Sequence, residues 1–199
     1  MATVATLPRT GTVLADLLPA STAGRARVRD AALIVGGAAL TGLTAQITVP
    51  VPGSPVPVSG QTFAALLVGT ALGARRGFIA LALYAMAGVA GMPWFAEARS
   101  GAAFPSFGYV LGMLLAATVV GALARRGGDR SVLRTAGTMA LGSAIIYAVG
   151  VPYLALATHM SFAEAVAAGL TPFLIGDVLK AALAMGALPA AWKLLGRRG

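Results

Sequence analysis

Residues 106–124 read SFGYVLGMLLAATVVGALA and contain no charged side chain. The run is 19 residues long and is followed directly by Arg125 and Arg126. A helix that crosses a lipid bilayer needs about 20 mostly apolar residues, because each residue advances the chain by about 1.5 Å through a hydrocarbon layer about 30 Å thick. This stretch therefore predicts a transmembrane helix that ends at a basic loop.

Five further apolar runs share this character. Four of them carry no charge, and the last carries only Asp177 and Lys180. We therefore predict an all-α integral membrane protein with six transmembrane helices. The five runs are residues 31–49, 57–74, 77–95, 135–157 and 170–192.

The second run is the least regular of the six. Pro55 and Pro57 oppose a helix near its start, so a re-entrant segment stays open as an alternative to a full crossing. Residues 73–77 read GARRG, with a glycine at each helix end and charges between them. This pattern favours two crossings joined by a tight turn.

The composition excludes an ordinary soluble domain. Of the 199 residues, 58% are hydrophobic and 11% are charged, whereas globular chains carry about 25% charged residues. The chain has no cysteine, which excludes disulfides and thiolate metal sites, and a single histidine makes a zinc site improbable. We expect no metal and no cofactor in this chain.

The net charge of +9 arises from basic residues clustered between the apolar runs. Positive residues accumulate on the cytoplasmic side of membrane proteins. With both termini cytoplasmic, every Lys and Arg except Arg99 and Lys180 falls on the inner side. This distribution accounts for the charge without nucleic-acid binding and predicts a multi-pass protein of the plasma membrane, which is the inner membrane in a bacterium. The inner set comprises Arg9, Arg25, Arg27, Arg29, Arg75, Arg76, Arg125, Arg126, Arg130, Arg134, Lys193, Arg197 and Arg198.

The same pattern divides the chain into three parts. We predict a loosely ordered cytoplasmic tail over residues 1–30, a six-helix transmembrane substrate-binding domain over 31–195 and a basic C-terminal tail over 196–199. Aromatic rings near the ends of the runs are expected to anchor at the lipid headgroups. These residues are Trp94, Phe95, Tyr109, Tyr153 and Trp192.

Asp177 and Lys180 are the candidate functional residues within the last run. An ionisable side chain at mid-bilayer costs about 2.5–3.5 kcal/mol on insertion scales. Their i, i+3 spacing places both on one helix face. A self-neutralising structural ion pair is one interpretation, but such pairs rarely add net stability. We favour a ligand site in which an acceptor and a donor bind a small polar ligand with N–H and C=O groups.

Two outer connections supply further candidates. Residues 49–62 carry four prolines between Pro50 and Pro57, which predicts a stiff extended segment that either lines a ligand vestibule or serves as a plain linker. Gln61 and Gln46 offer uncharged amides for a ligand, with an interhelical hydrogen bond as the alternative for Gln46. Arg99 either holds a ligand carboxylate or pairs with Glu97 at the surface.

Several stretches together resemble one family. They are residues 55–62 (PVPVSGQT), 72–77 (LGARRG), 83–95 (LYAMAGVAGMPWF), 147–152 (YAVGVP) and 176–180 (GDVLK). In this order and spacing they are similar to the biotin-specific substrate-binding (S) components of energy-coupling-factor transporters, the BioY family. The family usually has Gly-Pro-Thr-Gly-Gly-Tyr after its third helix. This chain departs from that pattern with residues 104–109, FPSFGY.

The resemblance implies high-affinity capture of biotin from the outer side by a six-helix protein. It implies that the Asp-x-x-Lys of the last helix, Asp177 and Lys180, contacts the ligand. Asp177 can accept from the ureido N–H groups of biotin, and Lys180 can donate to the ureido carbonyl or neutralise the carboxylate. The remaining expected biotin contacts are Gln61, Arg99, Tyr109 and Tyr147.

The chain has no Gly-x-x-x-x-Gly-Lys-Ser/Thr loop for ATP. The resemblance implies partners that provide the energy, namely a transmembrane coupling subunit with two cytoplasmic ATPase subunits. Small residues at four-residue spacing on the first helix suit close docking of this subunit or packing inside the monomer. These are Ala32, Gly36, Ala38 and Gly42.

Two other functional classes fit the sequence less well. A self-sufficient proton-coupled transporter of a small carboxylated solute would need Asp177 to titrate, but the neighbouring Lys180 keeps this acid ionised. An enzyme is not expected, because the chain offers one peripheral histidine, no cysteine and a single intramembrane carboxylate.

Overall fold

The computed structural model describes residues 11–195, which form a helical bundle. Its seven α-helices are α1 (Ala23–Ala45), α2 (Gln61–Leu72), α3 (Ala74–Val89), α4 (Phe107–Arg125), α5 (Val132–Thr158), α6 (Phe162–Gly169) and α7 (Leu174–Leu195). Short 3₁₀ helices cover Leu14–Leu17, Ala96–Ala98 and Thr171–Phe173. Two strands, β1 (Thr48–Val49) and β2 (Val58–Ser59), pair antiparallel within the connection between α1 and α2.

The predicted six segments correspond in order to six helical units. The sixth unit is α6 and α7 together, joined by the 3₁₀ turn at Thr171–Phe173. Within the described residues, four units are long and apolar enough to cross a membrane: α1, α4, α5 and the combined stretch Phe162–Leu195. The chain is therefore an all-helical, multi-pass membrane protein.

The helices α2 and α3 are shorter than predicted. The helix α2 has 12 residues and α3 has 16, which correspond to about 18 Å and 24 Å of helix rise. Residues 57–60 stay outside α2, because Pro57 and the strand β2 precede it. Both helices pack within the bundle, and most of α2 is buried.

The turn between α2 and α3 is tighter than predicted. Only Gly73 separates the two helices, with φ at +82°, a conformation that glycine adopts without steric cost. Arg75 and Arg76 consequently lie in the first turn of α3, and Gly77 lies inside that helix. A β-carbon on Gly77 would come within 2.9 Å of the Gly69 backbone. Gly77 therefore allows α3 to approach α2 closely, which corrects its assignment as a helix end.

The expectation of a loosely ordered tail is wrong for residues 11–22. Val13 is fully buried, and the Gly11 amide donates to the Arg125 carbonyl at 2.9 Å. Asp16 pairs with Arg76 of α3, and its Oδ2 accepts from the Val13 amide at 3.0 Å. The helix α1 begins at Ala23, so the predicted boundary at residue 30 falls inside it. Residues 1–10 and the predicted basic tail over 196–199 lie outside the described residues.

The core is centred on α4, which packs against α2, α3 and α5. Its fully buried positions include Val110, Met113, Ala116, Ala117 and Val120. A β-carbon on Gly112 would lie 2.8 Å from the Ile146 carbonyl oxygen, so the backbones of α4 and α5 touch there. Close backbone approach of this kind is typical of helices that associate in membranes.

Candidate functional site

A cluster of polar groups lies at the end of the bundle formed by the connections α1–α2, α3–α4 and α5–α6. A small cavity of about 30 Å³ lies there. Its wall combines two ionisable side chains of α7 with amide, hydroxyl and aromatic groups from β2, α2, the start of α4, α5 and the 3₁₀ turn before α7. The lining residues are Val56, Pro57, Ser59, Gln61, Thr62, Ala96, Ser106, Tyr109, Tyr147, Phe173, Asp177 and Lys180.

The start of α7 positions Asp177. Pro172 lies in the 3₁₀ turn that precedes α7, and Asp177 follows in the first turn of the helix. The amide dipoles at a helix N-terminus favour a negative charge there. The Tyr147 hydroxyl of α5 donates to Asp177 Oδ2 at 2.5 Å. The carboxylate is thus fixed between two helices.

Lys180 lies one turn further along α7, on the same face as Asp177, as the i, i+3 spacing predicts. Its Nζ lies 3.5 Å from Asp177 Oδ1 and donates to Thr62 Oγ1 of α2 at 2.8 Å. The two side chains are only 17% and 19% exposed. The pair therefore presents an acceptor and a donor to a largely water-excluded cavity, which suits a ligand that carries both kinds of group.

Gln61 is the first residue of α2 and is 6% exposed. Its Oε1 accepts a 2.7 Å hydrogen bond from the hydroxyl of Tyr84 on α3. The close approach of Gly60 to α1 fixes the start of α2, because a β-carbon on Gly60 would lie 2.6 Å from the Thr44 carbonyl oxygen. Gln61 therefore lies in the cavity wall, and its predicted role as an orienting amide stays a prediction.

The proline-rich connection covers the cavity. Val56 is 5% exposed and belongs to the hydrophobic core, and Val56 and Pro57 both line the cavity. The Ser54 hydroxyl holds the turn, with its Oγ accepting from the Val56 amide at 3.1 Å. Of the two interpretations of this segment, the structure favours a cavity wall over a plain linker.

Tyr109 lines the cavity, but its hydroxyl already has a partner in the protein, so the ring is the part that can contact a ligand. The hydroxyl donates to the Gly169 carbonyl at 2.7 Å, and the ring meets that of Tyr147 edge to face at 6.4 Å. Ser106 lies beside it in the wall, within the segment that departs from the family pattern. Phe95, Tyr109 and Trp192 are at most 5% exposed, so the expectation that they anchor at lipid headgroups is wrong.

Arg99 lies outside the cavity wall. Its guanidinium pairs with Glu97 at 2.7 Å, and both side chains are more than one-third exposed. The Arg99 backbone nevertheless holds the loop, since its carbonyl accepts from the Phe95 amide at 3.1 Å. Gln46 has a structural role, because its Nε2 donates to the carbonyls of Trp94 at 3.0 Å and Phe95 at 3.3 Å and so joins the end of α1 to the connection between α3 and α4.

The small residues of α1 divide between two faces. Ala38 is 1% exposed, and a β-carbon on Gly42 would lie 2.7 Å from the Trp94 ring. These two pack inside the monomer, so packing rather than docking is the interpretation that the structure favours for them. Ala32 and Gly36 are exposed, and a β-carbon on Gly36 would meet nothing within 4 Å.

A second, wider opening borders the site. It is an apolar groove of about 760 Å³ between α5 and the α6–α7 unit, and it shares Tyr147 and Asp177 with the cavity. The sequence analysis did not predict three residues that line the cavity, Thr62, Ser106 and Phe173. It also did not predict Tyr84, which contacts Gln61 from behind the wall. Thr62 and Tyr84 lie within stretches that carry the family resemblance, which was the available signal.

Comparison with known proteins places this arrangement in a family. The BioY family matches residues 18–197. The chain is 32% identical over 162 residues to the probable biotin transporter BioY of Pyrococcus horikoshii, covering 80% of this chain and 93% of the relative. It is 35% identical over 139 residues to the biotin transporter BioY of Thermotoga maritima, covering 68% and 80% respectively.

The fold has a solved counterpart. The crystal structure of the S-component for biotin from an ECF-type ABC transporter superimposes with a TM-score of 0.75, over 90% of this chain and 94% of that one. At 19% sequence identity this match concerns the fold. With the family match over most of its length, the chain belongs to the BioY family.

Proposed function

We propose that this chain is the biotin-binding membrane subunit of a vitamin uptake transporter, which captures biotin from the outer side and delivers it inward with an energy-coupling module. The observation that carries the proposal is the cavity in which Asp177, Lys180 and Gln61 converge. Biotin has ureido N–H donors, a ureido carbonyl and a carboxylate, and these groups match the acceptor and donors of the wall. The relatives named as biotin transporters support the choice of ligand.

In this proposal each predicted site residue has a defined role. Asp177 accepts from the ureido N–H groups, while Lys180 donates to the ureido carbonyl or neutralises the carboxylate. Gln61 adds an amide, and the rings of Tyr109 and Tyr147 pack against the apolar part of the ligand. Arg99 leaves Glu97 and binds the carboxylate when the loop closes over a bound ligand. The chain itself uses no metal or cofactor.

The proposed topology places both termini in the cytoplasm and the cavity on the outer side of the plasma membrane. The Gly11–Arg125 hydrogen bond, the Asp16–Arg76 pair and the Trp192–Asp129 hydrogen bond gather at the bundle end opposite to the cavity. That end also carries Arg75, Arg126, Arg130 and Arg134. A basic end facing the cytoplasm agrees with the positive-inside rule and with attraction to anionic lipids.

The proposed partners are a transmembrane coupling subunit and two cytoplasmic ATPase subunits. The exposed face of α1 at Ala32 and Gly36 is the docking face, because small side chains let another helix approach closely. ATP is then consumed by the partners alone.

Equilibrium binding tests the ligand. We expect the detergent-purified full chain to bind biotin one to one in isothermal titration calorimetry without ATP. Desthiobiotin should compete, whereas thiamine and riboflavin should not. Folded protein that binds no biotin would refute the proposal.

Uptake of labelled biotin by cells tests the coupling. Uptake that requires the coexpressed ATPase module supports the proposed subunit. Uptake by the chain alone that a protonophore abolishes would instead establish the proton-coupled transporter.

A further inference from the structure

Tyr84 is a buried polar side chain that the proposed ligand contacts do not include. It lies on α3, is fully buried and does not line the cavity. Its hydroxyl lies 2.7 Å from Gln61 Oε1 and 3.4 Å from the Trp94 carbonyl oxygen. The shorter contact identifies Gln61 as the main acceptor of the Tyr84 proton.

The ring of Tyr84 is held on several sides. Its centroid lies 5.2 Å from those of Trp94 and Phe95, the latter in an edge-to-face arrangement. The Trp94 indole N–H donates to the Tyr84 carbonyl at 3.0 Å. The Tyr84 hydroxyl is therefore a fixed donor, aimed at Gln61 from behind the cavity wall.

This contact decides which end of the Gln61 amide faces the ligand. A glutamine amide can be turned by 180° to exchange its acceptor and donor ends. With Oε1 bound to Tyr84, the Nε2 group is the end left for the cavity. Among the described residues Nε2 has no hydrogen-bond partner, although Gln61 is 94% buried. A donor that faces the cavity without a protein partner is available to an acceptor oxygen of the ligand.

We propose that Tyr84 is a positioning residue, which orients the Gln61 amide so that its N–H groups bind an acceptor oxygen of the ligand. This inference rests on the proposed function, since it assigns one polar contact of the biotin site. Biotin offers two acceptors of this kind, the ureido carbonyl and the carboxylate. An acceptor-free ligand group at this place would leave the donor unpaired and bind less well.

A double-mutant cycle tests whether Tyr84 acts through Gln61. The variants are Tyr84→Phe, Gln61→Ala and the double variant, each titrated with biotin as the purified full chain. Tyr84→Phe keeps the ring and removes only the hydroxyl, and we expect the Kd to rise about tenfold. The double variant should bind no more weakly than Gln61→Ala, because the hydroxyl has no effect once the amide is gone. Tyr153→Phe is the matched control, since its hydroxyl donates to the Ala102 carbonyl outside the cavity.

Biotin analogues identify the acceptor. The protonated imine in place of the ureido carbonyl in 2-iminobiotin, or the ammonium group in place of the carboxylate in norbiotinamine, offers no acceptor and should remove the Tyr84→Phe penalty. Loss of the penalty with either analogue supports the inference and names the oxygen.

Two results would overturn the inference: effects of Tyr84→Phe and Gln61→Ala on the Kd that add in the double variant, or an unchanged Kd in folded Tyr84→Phe. Thermal unfolding of each variant identifies a protein that fails to fold, and Gln61→Glu then provides an independent test. A carboxylate at this position has no donor, so it should weaken binding at least as much as Gln61→Ala, and tighter binding would overturn the inference. Failure of the unmodified chain to bind biotin would instead refute the proposed function itself.

Discussion

The Tyr147 hydroxyl donates to Asp177 Oδ2 at 2.5 Å and thereby links α5 to α7 across the cavity. Asp177 Oδ1 lies 3.5 Å from Lys180, so the carboxylate contacts a neutral donor on one oxygen and a cation near the other. Both Tyr147 and Asp177 also border the apolar groove between α5 and α7. This contact therefore separates the polar cavity from the groove.

Tyr147→Phe should weaken biotin binding about tenfold. Without the hydroxyl, the Asp177 carboxylate is free to turn toward Lys180, and a ligand must then break a tighter ion pair. Titration calorimetry of the purified variant measures the change. An unchanged Kd would show that Asp177 is held well enough by Lys180 and the helix start.

Asp177→Asn and Lys180→Met should each raise the Kd for biotin by about 100-fold, because truncating one partner of a buried charged contact costs about 2–5 kcal/mol. Leu179→Ala is the matched control. Leu179 lies between them on α7, is 63% exposed and lines neither opening. Membrane insertion should be the same for all three variants, as measured by their expression level and by gel filtration. Unchanged affinity in both charge variants would return the pair to a purely structural role.

Substitution of two glycines on α1 should separate packing from docking. Gly42→Leu should lower the melting temperature, because its β-carbon would already lie 2.7 Å from the Trp94 ring. Gly36→Leu should leave the melting temperature unchanged, because its β-carbon meets open space. We expect Gly36→Leu to weaken copurification with the coexpressed coupling subunit. Full copurification of this variant would argue against docking on the Ala32–Gly36 face.

The charge distribution and the hydrophobic periodicity of the sequence predicted much of the fold but few of the contacts that form the site. Six apolar runs predicted six helical units, and the i, i+3 spacing predicted one face for Asp177 and Lys180. The contacts that complete the site join distant positions: Lys180 to Thr62 and Tyr147 to Asp177. Nothing local in the sequence pairs such residues, because the packing of α2 and α5 against α7 brings them together.

The predictions that proved wrong also concern contacts that the local sequence does not determine. Proximity to a helix end predicted headgroup anchoring for Tyr109, but the position along a helix does not tell which way the ring points. The N-terminal segment is too short for a periodic pattern, so the burial of Val13 gave no signal. The turn predicted over residues 73–77 was too long, because a single glycine with positive φ, Gly73, is enough to reverse the direction of the chain.

The Asp16–Arg76 pair should make stability depend on pH. Burial alone would raise the pKa of Asp16, but the hydrogen bond from the Val13 amide and the Arg76 guanidinium hold it below its ordinary value of 3.8. A lowered folded-state pKa means that the stabilisation is present above the unfolded-state pKa and is lost as the pH falls through the folded-state value. Asp16→Asn should therefore melt at a lower temperature than the unmodified chain at pH 7, and the difference should shrink below pH 3.8.

A charge exchange checks the origin of this effect. The double variant Asp16→Arg/Arg76→Asp should recover part of the melting temperature lost in Asp16→Arg alone. Equal melting temperatures for those two proteins would show that the Val13 hydrogen bond, rather than the ion pair, attaches the N-terminal segment.

The contribution of Asp129 to stability should depend on pH in the opposite sense to that of Asp16. It is fully buried in the connection between α4 and α5, where its Oδ2 accepts from the Trp192 indole N–H at 2.7 Å. Its Oδ1 has no hydrogen-bond partner among the described residues. Burial raises the pKa of Asp129 above its ordinary value of 3.8, although Trp192 and Arg130 act against the shift. A raised folded-state pKa means that this carboxyl favours the folded state less as the pH rises through that value.

Asp129→Asn should accordingly raise the melting temperature at pH 7, because the amide oxygen keeps the Trp192 hydrogen bond without burying a charge. The gain should diminish as the pH falls, because the raised pKa lets the carboxyl of the unmodified chain take up a proton and lose its buried charge. Asp129→Ala is the contrasting variant, since it leaves the buried indole N–H without an acceptor and should lower the melting temperature. A lower melting temperature for Asp129→Asn at pH 7 would instead show that the ionised carboxylate, held by Arg130 and Trp192, stabilises this end of the bundle.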